Sequence, residues 1–185
     1  WLIADREETI TLECTKEGLR IWENPVGVLT NNPPFDQQLF RLNDFMHLSP
    51  LPPRNRFSPE LELVPYSHGM GALGLPGDLS SQSRFVRAAF TKLNSRCGDS
   101  EEESMGQFFH ILDSVSQTRG CCQVGTERFE HTIYTCCCNM DKGIYYYTTY
   151  GNRQITALHM GREDPNGEQL IRWPLIREQK VLHEN

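Results

Sequence analysis

Strands at both ends of the chain and two helices between them predict an α+β fold built on mostly antiparallel sheets. Three observations carry this reading. Period-two runs fill the first thirty residues. Two central segments place apolar residues three and four positions apart. Beyond residue 130, strand-type runs return, separated by short turns.

Taken in order, "WLIAD" reads as a buried strand and "ETITLECT" as its neighbour. In the second, Ile10, Leu12 and Cys14 alternate with Thr9, Thr11 and Glu13. A Lys-Glu-Gly turn leads to "LRIWEN", and "VGVLT" completes a hairpin-linked meander with one face on a core. Two asparagines follow, then two prolines, then "FDQQLFRLNDF". Phe35, Leu39, Leu42 and Phe45 there form the stripe of a short amphipathic helix. The next stretch, "HLSPLPPRNRFSPELELVPYSHGMGALGLPGD", carries too many turn residues for a helix, and "LELV" is its one short strand candidate. Loops this long in compact domains are functional or packed on a neighbour. A helix starts at Ser80 or Ser81 and puts Phe85, Ala88, Ala89 and Leu93 on one face.

A second helix spans "EEESMGQFFHILDSVSQTRG". Glutamates crowd its first turn, Arg119-Gly120 closes it, and Met105, Phe108, Phe109, Leu112 and Val115 make its stripe. "HTIYTCCC", "IYYYTTY" and "QITALHM" follow as strands, with "QLIRWPLI" as the last strand before a polar tail. The length fits a single domain over residues 1–185.

The net charge is −6 and no Lys/Arg block stands out, which argues against a nucleic-acid binder and against attraction to an anionic membrane. No stretch approaches the ~20 consecutive apolar residues of a membrane-spanning helix. The chain opens without an initiator Met or signal peptide, in what reads as mid-sheet, so the expectation is a piece of a longer protein. Cys14, Cys97, Cys121, Cys122, Cys136, Cys137 and Cys138 are odd in number and clustered, unlike a spaced disulfide framework. They favour reduced thiols in a cytoplasm.

Motif chemistry is sparse. The six histidines lie far apart, and there is no P-loop, no G-x-S-x-G elbow and no dinucleotide fingerprint, so neither metal nor cofactor is expected. Cys136 to Cys138 alternate faces of a strand and cannot converge on one ion; they read as small buried hydrophobes. The tyrosine run 145–147 reads as β-propensity and burial. Two features remain. In "TNNPPFD", Asn31 and Asn32 stand where a strand breaks off, and a rigidly held amide NH2 there can stabilise an oxyanion. The alternative is a turn residue bonding its own backbone before proline. In "GDLSSQSRFVRAAF", Arg84 and Arg87 lie on adjacent turns beside Phe85 and Ala88. A guanidinium close to that apolar stripe needs a partner or a task.

Four stretches, "NPVGVLTNNPPFDQQLFRLNDF", "YSHGMGALGLPGDLSSQSRFVRAAFTKLNS", "QFFHILDSVSQ" and "YTCCCNMDKGIYYYTTYGNRQI", together resemble the choloylglycine hydrolase family. Within it the likeness is greatest to the conjugated bile salt hydrolases of gut bacteria. The resemblance implies an N-terminal-nucleophile hydrolase with a four-layer αββα sandwich, of which this chain covers only the C-terminal part. It implies cleavage of a linear amide by an N-terminal cysteine whose α-amine is the base, through an oxyanion and an acyl-enzyme. The substrate implied is a glycine- or taurine-conjugated bile salt. Penicillin V or another N-acyl compound is the alternative on the same scaffold, and a non-catalytic oligomerisation remnant is the alternative from another class.

Carried across, the family's active-site asparagine falls on Asn31 and its arginine beside the nucleophilic sulfur on Arg84, with Asn32 and Arg87 as secondary candidates. The loop from Asp44 to about Leu75 resembles the family's assembly segment, which implies a homotetramer. Trp1 is not a cysteine, and none of the seven cysteines matches the nucleophile. The resemblance therefore implies that this chain by itself is inactive.

Overall fold

In the computed structural model, which describes residues 1–184, the opening period-two run folds as an antiparallel meander. Its strands are β1 (Leu2–Ala4), β2 (Thr9–Thr15) and β3 (Gly18–Glu23). The first turn is shaped by Asp5, whose Oδ1 accepts from the backbone N–H groups of Glu7 and Glu8 at 2.8 and 2.9 Å. Register pairs Leu12 with Ile21 and Cys14 with Leu19, so one face is apolar, while Thr11 and Trp22 share the other. Thr11 is fully buried and Trp22 packs on the core. β1 departs from expectation: all three of its residues are exposed, because an edge strand this short has a neighbour on one side only.

"VGVLT" is not a strand. Its backbone groups are taken by side chains rather than by a ladder. Asn24, 3% exposed, donates through Nδ2 to Val28 O and to Thr11 Oγ1, both at 2.9 Å, and accepts from Gly27 N at 2.8 Å. Lys92 Nζ donates to Val26 O at 2.8 Å. The segment thus runs as a pinned arm that turns at Gly27, whose φ is 60°, and ends at Thr30.

α1 (Phe35–Arg41) follows, continued by a 3-10 turn over Leu42–Phe45. Glu13 of β2 caps its start, its two carboxylate oxygens accepting from Phe35 N at 3.1 and 2.9 Å. The long loop after it holds no strand at "LELV"; Leu61, Leu63 and Val64 are exposed. It is stapled where Ser49 N donates to Gly71 O at 2.9 Å.

α2 (Ser81–Asn94) is capped by Ser80, whose hydroxyl accepts from Ser83 N. It buries Phe85, Val86, Ala88 and Ala89; the expected Leu93 lies beyond the core and is exposed. The core joins Val26, Phe35, Phe85 and Ala89, with Trp22, Val28, Leu29, Leu39 and Leu42 against it. Phe35 and Phe85 meet edge to face at 6.1 Å, a geometry that aromatic rings favour. These elements make up one unit, Trp1–Arg96.

The second unit runs from Cys97. α3 (Glu101–Asp113) opens on a capping box in which Ser100 and Glu103 satisfy each other's backbone N–H groups. The helix stops well before Arg119-Gly120. The Ser114 hydroxyl donates back to Ile111 O at 2.6 Å, and the next N–H groups reach only three residues back, which tightens and ends the last turn. Phe109 is its buried residue, and Phe108 is exposed.

An unanticipated hairpin, β4 (Cys122–Gly125) and β5 (Arg128–Glu130), turns at Glu127, whose φ is 57°. β6 (Tyr134–Asn139), β7 (Ile144–Thr149) and β8 (Asn152–His159) then form a three-stranded sheet. "QLIRWPLI" is no strand. It is tied to the sheet through side chains: Thr149 Oγ1 donates to Ile176 O at 2.9 Å, and Ile176 N donates to the Tyr147 hydroxyl at 3.3 Å. Cys136 and Cys137 are half-buried and Cys138 exposed, rather than buried, since β6 is an edge strand. Every ladder in both units is antiparallel, as the α+β reading requires.

Candidate active site

The site candidates converge where the pinned arm meets the first turn of α2. Ser81 and Arg84 stand three residues apart and so share a helix face. From that face Ser81 Oγ accepts from Asn32 N at 2.8 Å, and the Ser81 carbonyl accepts from Thr30 Oγ1 at 3.0 Å. One turn on, Arg84 Nη2 donates to Asn31 Oδ1 at 2.9 Å while its Nη1 donates to Leu79 O at 2.6 Å. The two residues singled out in sequence, 53 positions apart, are hydrogen-bonded partners.

This pairing fixes the Asn31 amide. A guanidinium has donors only, so the end facing Arg84 is the oxygen, and the NH2 faces the other way. Among the described residues that NH2 donates to no protein group within the unit, and Asn31 is exposed. The arrangement offers an oriented amide donor beside a cation, a combination suited to an anionic group.

The secondary candidates do other work. Asn32 contributes its backbone N–H to Ser81, and its side chain is exposed. Arg87 turns away toward the glycine-rich approach and donates from Nη1 to Pro76 O at 2.6 Å and to Asp78 O at 2.9 Å. Burial lowers the pKa of Arg87; the positive charge of nearby Arg84 lowers it further, and the negative charge of Asp78 opposes both. Asp78 itself is held well below the usual carboxylate range. The hydroxyl of Ser80 contributes most, then that of Ser83, then the backbone N–H of Ser80. Asp78 thus organises the entry to α2, accepting from Ser80 N at 2.9 Å and from the Ser83 hydroxyl at 2.5 Å.

Two supports were missed in sequence. Ser81 is one of many serines and gives no signal. Gln38 does: it stands three residues after Phe35 on the apolar side of α1, where an amide is out of place unless bonded. No group of three or more His, Cys, Asp or Glu among the described residues is placed to hold a metal ion. No described helix is long and apolar enough to cross a membrane.

Comparison with known structures defines the class. The chain superimposes on a variant of the conjugated bile acid hydrolase from Clostridium perfringens with a TM-score of 0.89 at 35% identity, covering 100% of this chain and 57% of that one. The penicillin V acylase from Agrobacterium tumefaciens shares the fold alone, with a TM-score of 0.60 at 18% identity over 84% of this chain and 43% of that one. The fold is that of the N-terminal-nucleophile hydrolases. Residues 1–172 match the linear amide C-N hydrolases, choloylglycine hydrolase family, and the chain belongs to that family. A bile salt hydrolase/transferase from Lactiplantibacillus plantarum is 57% identical over 96% of this chain and 55% of its own length. One of the same description from Clostridium perfringens is 37% identical over 100% of this chain and 56% of its own. The chain spans about half the length of these relatives.

Proposed function

We propose that the full-length protein containing this chain hydrolyses the amide bond of glycine- or taurine-conjugated bile salts. The observation that carries this is the Arg84–Asn31 hydrogen bond, which aims an amide donor from beside a fixed cation. In this reading a cysteine thiolate, supplied with its α-amine base by sequence outside the chain, attacks the amide carbonyl. Asn31 Nδ2 donates to the oxyanion that forms, and the positive charge of Arg84 favours thiolate over thiol. Water resolves the acyl-enzyme in hydrolysis; an amine in its place gives transfer, in keeping with the description of both relatives as hydrolase/transferase.

The chain alone is then inactive. None of its seven cysteines hydrogen-bonds Asn31 or Arg84 among the described residues, which supports an external nucleophile. Bile salts are preferred over penicillin V as substrate because relatives described as bile salt hydrolases stand at 57% and 37% identity, whereas the acylase shares only the fold. The family match crosses both units without a break, which supports one domain. The exposed Met46, Leu51, Phe57, Val64 and Tyr66 support the loop after α1 as an assembly segment of a homotetramer, and seven unpaired thiols support a cytoplasmic location.

The test is release of glycine or taurine from conjugated bile salts by the full-length protein and by its Arg84→Ala and Asn31→Ala variants. Each variant is expected to lose on the order of 10²-fold in kcat with folding intact. Near-parental turnover in either removes that residue from the mechanism. Cleavage of penicillin V without cleavage of bile salts removes the substrate assignment.

A further inference from the structure

We propose that Gln38 is a positioning residue for the Asn31 donor, an inference that rests on the assignment of Asn31 to the oxyanion. Gln38 is fully buried, on a helix whose other buried residue is Phe35. Its amide reaches both flanks of the asparagine pair. Nε2 donates to Pro33 O at 2.5 Å, and to Thr30 O at 3.5 Å. Oε1 lies 2.5 Å from Thr30 Oγ1, whose single proton it shares with the Ser81 carbonyl at 3.0 Å. Two carbonyls can only accept and the hydroxyl can donate, so the orientation of the amide is determined. The buried amide is thereby tied to the residues immediately before and after Asn31-Asn32.

The consequence is geometric. Asn31 is exposed, and the backbone on either side of the pair is what limits where its NH2 points. On one side Thr30 is held by Gln38 and by the Ser81 carbonyl; on the other Pro33 is held by Gln38. Arg84 fixes the amide plane and Gln38 fixes the chain that carries it. A donor displaced by about 1 Å loses on the order of 10²-fold in rate. An amide in this place serves orientation more than packing, since an apolar side chain of the same length would fill the volume, leave Pro33 O without its Gln38 donor and leave the Thr30 hydroxyl to the Ser81 carbonyl alone.

The experiment is a double-mutant cycle in the full-length protein, using Gln38→Met, Asn31→Ala and the pair, with bile salt amide hydrolysis as readout. Gln38→Met is expected to lower kcat about 10- to 100-fold with KM changed less than about threefold. In the Asn31→Ala background it is expected to add no further loss, because a positioning residue has nothing left to position. A second full loss in that background, or an effect on KM alone, overturns the proposal. Should Gln38→Met fail to fold, Thr30→Val and Thr30→Ser decide instead. Ser restores the hydroxyl to Gln38 and should recover most of the kcat lost in Val; equal rates in the two overturn it. Unimpaired turnover in Asn31→Ala overturns the oxyanion assignment and this inference with it. A damaged Asn31→Ala beside an undamaged Gln38→Met overturns this inference alone.

Discussion

A carboxylate at the first turn of a helix gains from the dipole, but Glu101 gains more from what surrounds it. Its side chain, 18% exposed, pairs with Lys142 and accepts from the Tyr146 hydroxyl at 2.6 Å and from Asn139 Nδ2 at 2.8 Å. Lys142 chiefly, then Tyr146, draw its pKa down to about 2, and the same carboxylate pushes the Tyr146 phenol up to about 12. The signs are opposite in consequence. Glu101 contributes stability that is fully present above its unfolded value near 4.5 and is lost as pH falls through about 2. Tyr146 contributes stability present below its unfolded value of 10, lost as pH rises through about 12. Thermal melts of Glu101→Gln should therefore show a shallower loss of Tm than the parent from about pH 5 to pH 2. Parallel acid limbs would show that the cluster contributes nothing to the fold. Tyrosinate absorbance should show Tyr146 titrating later than exposed tyrosines.

At the scale of elements, the sequence was legible where a pattern reports on a local partner. The period-two run of β2 and the stripes of α1 and α2 are visible because burial of one face imposes them, while β6, β7 and β8 are visible through their aromatic and β-branched residues and the turns between them. "VGVLT" and "QLIRWPLI" misled because an apolar run reads the same whether its backbone groups go to a ladder or to Asn24, Lys92, Thr149 and Tyr147. Asn31 and Arg84 were each singled out in sequence, but their hydrogen bond, like the role of Gln38, needed the fold, since only the folded chain shows these partners. Gly71 is another such position. A Cβ on it would fall 1.9 Å from Leu51 O and 2.4 Å from Ser49 O, backbone atoms that cannot swing aside. Gly71→Ala must therefore open the staple of the long loop. Limited trypsin digestion of the full-length protein should cut faster after Arg54 and Arg56 in this variant, with the far-UV spectrum unchanged. Equal cleavage rates would show the loop to be held by other contacts.

On the scale of the whole molecule, the first sheet poses a question of covering. One face carries Thr11 and Trp22 onto the core of its unit. The opposite face carries Ile3, Leu19 and Ile21 at 50%, 62% and 63% exposure, in register with Ile10, Leu12 and Cys14. Neighbouring apolar side chains on a paired sheet are normally packed against a second layer, and patches left open favour association. The edge strand β1 adds unpaired backbone groups beside Trp1, which is 83% exposed. The four-layer sandwich of the family supplies such a second layer, and the relatives are nearly twice as long as this chain. It follows that the 185-residue chain produced by itself should bind a hydrophobic dye strongly and sediment as mixed aggregates. The full-length protein should do neither. Replacing Leu19 and Ile21 by Lys should improve solubility of the short chain and damage the long one, because the same face is solvent in the first and interior in the second. If the short chain instead melts cooperatively as a dye-free monomer, its apolar face is covered from within. If the long protein tolerates both lysines, the face is open in that protein and must be sought as a docking surface.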